Sequence, residues 1–255
     1  MRRLLAVLLA AAVAAAPALA VVVDAEMPPD VAARWSTLDP TKWSLPQLQS
    51  ALPLLRPPPG FAVGLYFNAS LVDNARSLAV SGASKHPGGP IISYVSSTKA
   101  NKTYALVDSD GDGSADSLTV VLDGLDTPQG MDWHDGDLYV TGWDEAGRGI
   151  VWRARGIDSY ALAGRRFPNS KLEVVTNRLP SARWHGARYA RFSPDDGLLY
   201  VSVGAPCNVC PEDRSPQGIV YSTIYTINTT NGDLNLFARG RDSMGDDLPD
   251  DKLQM

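Results

Sequence analysis

The chain has 255 residues, with 23 Lys and Arg against 28 Asp and Glu and a formal net charge of −5. That balance argues against nucleic acid as a partner, because holding a phosphate backbone needs an excess of cations. Gly (22) and Pro (19) are both frequent, without low-complexity tracts, which suits many strands joined by many turns.

Residues 1–20 read as a secretory signal peptide. Arg2 and Arg3 form the positive region, Leu4 to Ala16 an apolar run too short to span a bilayer comfortably, and Ala18-Leu19-Ala20 the small-residue cleavage site. No later stretch is long and apolar enough to cross a membrane, so the expectation is a secreted chain of about 235 residues, enough for one substantial core. Three glycosylation sequons begin at Asn68, Asn101 and Asn228, and the only two cysteines, Cys207 and Cys210, also suit an oxidising compartment.

Residues 21–59 form a Pro-rich N-terminal segment, read either as an arm lying on the main domain or as a disordered linker. Within it the spacing predicts a short helix around Leu45 to Leu55, with Ser44 as N-cap and Pro46 in the first turn.

From residue 60 onward the pattern is all-β. Ser77–Val80, Ile91–Val95, Leu118–Leu122, Asp137–Val140, Arg188–Phe192 and Leu198–Val203 are short β-type runs bounded by Gly, Pro and Asp, and no helical period stands out. Gly130 to Val140 reads as strand, Asp-Gly turn, strand, and Tyr189 to Val201 reads the same way, with turn glycines Gly136 and Gly197 about 61 residues apart. Ala75–Val80 followed by Ile91–Val95 resembles an earlier copy. Each copy is trailed by another β-type pair, such as Ile219–Ile227 and Asp233–Phe237. Four strands per unit at this period is the signature of β-propeller blades. Residues 60–255 accommodate only three to four blades. The expectation is therefore an incomplete ring with exposed strand edges.

The sharpest local motif is Asp108-Ser-Asp-Gly-Asp-Gly-Ser-Ala-Asp116. Asp108, Asp110, Asp112 and Asp116 fall at loop positions 1, 3, 5 and 9, with Gly113 at the sixth, and calcium wants this kind of hard-oxygen shell. Thr119 stands where an EF-hand would have Glu, and the motif lies between β-type runs, so a solvated acidic turn is the alternative. Cys207-Asn-Val-Cys210 has no second pair for a four-sulfur zinc site and no following His for haem, and a local disulfide pinning a loop is the plainest reading. Of the three histidines, His86 and His134 read as exposed loop and turn residues. His185 precedes the Arg188–Phe192 strand, where a propeller brings inner strands to its channel and where a His can serve as general base.

Further short stretches recur in a telling order: Pro59-Gly-Phe61, Ala75 to Ser81, Asp108 to Asp116, Val121 to Leu125, Asp135 to Val140, His185 to Arg188, Gly204 to Cys210 and Phe237 to Gly240. Together, over about 180 residues, they resemble the soluble quinoprotein sugar dehydrogenases, in their sorbosone dehydrogenase-like branch. The resemblance implies a six-bladed propeller with pyrroloquinoline quinone (PQQ) and calcium as cofactors and a sugar or related aldehyde or alcohol as substrate. It makes His185 the general base, puts Arg188 and Arg239 at the cofactor, and sets Gln129 at the substrate. The family follows its Ala-Arg-Gly motif with an Arg-Asn pair. Here Gly240 is followed by Arg241-Asp-Ser-Met-Gly-Asp-Asp247, a segment the family carries further on, so the resemblance implies a truncated form with impaired activity. The competing reading is a non-catalytic, calcium-stabilised extracellular binding module on the same blades. A lactonase-type hydrolase lacks its carboxylate-rich metal set.

Overall fold

Alternation of small or apolar with exposed side chains builds the first strand, β1 (Ala75–Val80). Ser77 and Ala79 turn inward, while Arg76, Leu78 and Val80 face outward. It begins a series of hairpins in a computed structural model that describes residues 46, 49–50, 52–67, 72, 74–81, 89–181, 183, 188–206 and 221–239. The signal peptide, Asn68, His86, His185, Cys207 and Cys210 lie outside the described residues. Of the helix expected around 45–55, positions 46, 49 and 50 are helical, and a 3-10 turn follows at Leu52–Leu54.

The described residues form three four-stranded antiparallel sheets, each a meander in sequence order. Sheet 1 joins β1 to β2 (Ile91–Ser97), β3 (Lys102–Asp108) and β4 (Ser117–Asp123). Sheet 2 holds β5 (Met131–His134), β6 (Asp137–Trp143), β7 (Gly149–Ala154) and β8 (Glu173–Leu179). Sheet 3 holds β9 (Arg188–Phe192), β10 (Leu199–Val203), β11 (Thr223–Asn228) and β12 (Asp233–Arg239). The repeated strand–turn–strand units of the sequence are the β5–β6 and β9–β10 hairpins. In the first, Asp135 (φ 49°) and Gly136 (φ 88°) both take the left-handed backbone that a tight two-residue turn requires, with His134 paired to Asp137.

Sheet 2 lies between the other two, and its second strand records this. Every residue of β6 is buried. Leu138 and Val140 join Ile92, Tyr94 and Val107 of sheet 1 in one core, while Tyr139 on the opposite face joins Ala190, Val201 and Ile227 of sheet 3 in another. On the far face of sheet 1, Tyr66, Phe67 and Val72 pack against Val95, Tyr104 and Leu106 and reach residues of all four strands.

The first strands of the three sheets stand side by side. The Ser77 hydroxyl of β1 accepts the Met131 N–H of β5, and Asp132 of β5 accepts both the Phe192 N–H and the Arg191 guanidinium of β9, each at 2.7 Å. Gly130 is what lets β5 approach β9. A Cβ there would sit 2.6 Å from the Arg188 carbonyl oxygen and 2.7 Å from the Ala190 nitrogen.

The sequence shows no helix after residue 60, yet a short α-helix, α1 (Ile157–Leu162), and a 3-10 turn at Asn169–Lys171 intervene between β7 and β8. Six residues are too few to display a period. It is held by tertiary contacts: the Asp158 carboxylate accepts the Tyr94 hydroxyl at 2.5 Å, the Ser81 hydroxyl at 2.7 Å and the Trp133 indole N–H at 3.0 Å. Among the described residues no helix is long and apolar enough to cross a membrane.

Candidate functional site

β1, β5 and β9 run in the same direction, so their starting ends share one side of the molecule. Gln129 lies two residues before β5 at that end. Its backbone is fixed from both sides: its N–H donates to the Thr141 carbonyl at 2.9 Å, and its carbonyl accepts the Ser96 hydroxyl at 3.1 Å. Its side-chain Oε1 accepts the backbone N–H of Arg188 at 2.9 Å, capping the first donor of β9. Two residues that the sequence names separately, substrate and cofactor contacts by resemblance, thus touch.

The Arg188 side chain runs back between sheets 2 and 3. It is 4% exposed, and its terminal nitrogens donate to the carbonyls of Gly142 and Pro180. The guanidinium lies 4.3 Å from the centroid of the buried Trp143 ring, a cation–π contact. No carboxylate pairs with it among the described residues, and its Nε has no hydrogen-bond partner. Burial pushes its pKa down to about 10, and the nearby Arg183 acts in the same direction. Gly149 makes room for it, since a Cβ there would meet Arg188 Nη2 at 2.5 Å.

Arg183 is the neighbour that sequence reasoning passed over. It pairs with Asp126 through both terminal nitrogens and lies 5.4 Å from the same Trp143 ring. These hydrogen bonds hold the Asp126 carboxyl below its usual value, and Thr127 adds a further one. An exposed Asp and an exposed Arg 57 positions apart leave no sequence signal of pairing.

Arg239 stands apart from this group. Arg188 pairs with Val203, Val203 with Thr223, and Thr223 with Arg239, so the two arginines occupy one row at opposite edges of sheet 3. Three strand spacings separate their backbones by about 14 Å.

The acidic motif forms the β3–β4 connection. Asp108, fully buried, accepts the Gly111 N–H at 2.7 Å and the Gly113 N–H at 3.0 Å through its two carboxylate oxygens. Gly111 (φ 75°) and Gly113 (φ 87°) supply the left-handed turns this wrapping needs. Carboxylate oxygens of Asp108, Asp110 and Asp116 lie within 4.8 Å of one another. Asp112 is outside that group, and its carboxylate caps the Ser114 N–H. The Tyr66 hydroxyl is buried nearby. Its ionisation is pushed up by that burial and, in lesser part, by the charges of Asp108 and Asp116.

His134, expected as an exposed turn residue, instead ends β5 and stacks on Phe192 with ring centroids 4.1 Å apart. Asn101, in the β2–β3 connection, and Asn228, the last residue of β11, are both exposed. The Asn101 carboxamide oxygen accepts the Thr127 N–H, and its sequon partner Thr103 is buried. Asn228 instead accepts the nearby Thr230 N–H, and Thr230 is exposed. No family model and no curated protein matches this chain.

Proposed function

We propose that the chain carries the catalytic corner of an extracellular PQQ-dependent oxidoreductase acting on a sugar or a related aldehyde or alcohol. The three meanders serve in this reading as propeller blades, with their first strands turned to a shared channel. The observation that carries it is the hydrogen bond between Gln129 and the Arg188 N–H, three positions after His185.

PQQ is a polycarboxylate, so its site needs positive charge. Arg188 fits in sign, being a buried guanidinium with no carboxylate partner among the described residues and an Nε without an acceptor. Its terminal nitrogens already serve two protein carbonyls, so it contributes field rather than an open fork. Arg239 belongs to the cofactor set through the resemblance alone. When bound, PQQ supplies a two-electron acceptor for hydride. The chain's own part is proton handling and orientation. His185 would take the proton of the substrate hydroxyl on a ring nitrogen, a role open to an imidazole because its unperturbed pKa lies near neutral pH. Gln129, its backbone tied to Thr141 and Ser96, presents a carboxamide N–H to the sugar. Calcium would be held by Asp108, Asp110 and Asp116 and would brace the β3–β4 loop, while Asp112, expected as a fourth ligand, caps Ser114 instead.

Reconstitution with PQQ and calcium, followed by dye reduction with aldoses, tests the reading. Turnover with retained cofactor absorbance is expected, falling about 10²- to 10⁴-fold in His185→Ala, the usual worth of a general base. Absence of both turnover and retained absorbance overturns it.

The clustering of the Asp108, Asp110 and Asp116 oxygens favours a second reading, a calcium-stabilised binding module without catalysis. In that case a chelator lowers the melting temperature, while His185→Ala leaves partner binding unchanged.

A further inference from the structure

Two guanidiniums and one carboxylate meet at the Trp143 ring. Arg188 lies 4.3 Å from the ring centroid and Arg183 5.4 Å. Asp126, whose backbone bridges to Trp143, is the carboxylate that pairs with Arg183, and among the described residues none pairs with Arg188. Arg188 is 4% exposed and keeps an Nε without an acceptor, so its charge is neither solvated nor compensated. Arg183 adds a like charge that works against it. A desolvated cation held beside a second cation carries a cost that an incoming anion relieves.

The stretch leading into Arg183 is pinned at the same ring. The Pro180 carbonyl accepts from the Arg188 guanidinium, and the Ser181 carbonyl accepts the Trp143 indole N–H at 3.2 Å. The Arg183 side chain itself is 51% exposed and that of Asp126 37%. An ion pair this open to water contributes little, so replacing one carboxylate by another on Arg183 costs little. Asp126 also keeps a partner after such an exchange, because the Thr127 hydroxyl donates to it at 2.7 Å.

We propose that Arg183 is the receiving fork of a carboxylate-binding subsite, with Asp126 as its internal stand-in and buried Arg188 as the source of a standing positive field. The fork already holds a carboxylate through both terminal nitrogens, so its shape suits a small planar carboxylate. Such a group can belong to the cofactor of the reading above or to an organic acid in free solution. The subsite stands on the two arginines and does not need the cofactor reading.

Calorimetric titration of the full chain with benzoate, without PQQ, tests it. Saturable binding is expected, weakened about tenfold or more in Arg183→Gln, the usual worth of a charge-assisted pair. In Asp126→Asn the internal competitor loses its charge, and binding tightens about fivefold. Misfolding cannot mimic that gain. No saturable binding by the wild type, unchanged binding in Arg183→Gln, or no tightening in Asp126→Asn overturns the subsite. PQQ is titrated separately and read by its retained absorbance. A wild type that takes benzoate but releases PQQ places the ligand in free solution and ends the cofactor reading alone. PQQ held equally by the wild type and Arg183→Gln, with no benzoate bound, ends the subsite alone.

Discussion

The Gln129 side-chain oxygen accepts the backbone N–H of Arg188 at 2.9 Å and so ties the start of β5 to the start of β9. The donor belongs to the first residue of an innermost strand. If its partner is removed, a backbone N–H with no ladder acceptor is left in a half-buried place. Gln129→Ala is expected to cost about 1 to 2 kcal/mol in urea unfolding, the usual penalty for an orphaned donor. Gln129→Glu keeps the acceptor and is expected to retain most of the stability.

Gly130 is irreplaceable for a geometric reason. The atoms a Cβ would strike, the Arg188 oxygen and the Ala190 nitrogen, are backbone atoms of the adjoining strand and cannot rotate away. Gly130→Ala is expected to destabilise by about 2 to 3 kcal/mol or more, as overpacking against fixed structure does. Gly147→Ala is a useful contrast. Its Cβ meets nothing within 4 Å, so any loss comes only from its positive φ of 74°.

Asp158 has three side-chain donors from three strands or their ends. Asp158→Ala would leave the Tyr94 hydroxyl and the Trp133 indole N–H without an acceptor inside the core that joins sheets 1 and 2. The expected loss is about 3 to 5 kcal/mol, read as a lowered midpoint in chemical unfolding.

The Asp126–Arg183 pair gives a pH signature of known sign. The carboxyl is depressed in the fold by the Arg183 hydrogen bonds, so its contribution is complete above the unfolded carboxyl's ordinary value near 4. It is lost as pH falls through the lower folded value. Both partners are more than a third exposed, which limits the contribution to about 1 kcal/mol or less. Stability of the wild type and of Asp126→Asn is expected to differ by a constant amount from pH 5 to 8 and to converge below about pH 3.

Much of the sheet architecture is legible in the sequence because hairpins advertise themselves. Asp135-Gly136 sits between alternating runs, and the same pattern returns at Gly197, so the strands around both turns stand out. The later strands of each unit are harder. β8 reads Glu-Val-Val-Thr-Asn-Arg-Leu, largely solvated at an outer edge, with few apolar side chains to mark a face. α1 is invisible because its stability comes from Asp158 reaching three distant donors, up to 77 positions away, and not from local propensity. The candidate site divides in the same way. The Asp108 loop is local, and its spacing alone foretells the clustering of three carboxylates, though not that Asp112 turns to cap Ser114. The Arg188–Trp143 contact depends on how two sheets stack, which no spacing encodes.

The reach of Asp158 also bears on how the molecule comes together. The carboxylate leaves sheet 2 on α1 and finds two of its three partners, Ser81 and Tyr94, in or beside sheet 1. Until both sheets exist, an ionised group and several donors have only water to satisfy them. The two sheets are therefore expected to gain protection from amide hydrogen exchange as a single cooperative unit. Sheet 3, joined to them mainly through Asp132, Gln129 and the Tyr139 cluster, has a separate threshold for opening. Of the three sheets, the one formed by β9 to β12 is the one best able to loosen without dissolving the other two.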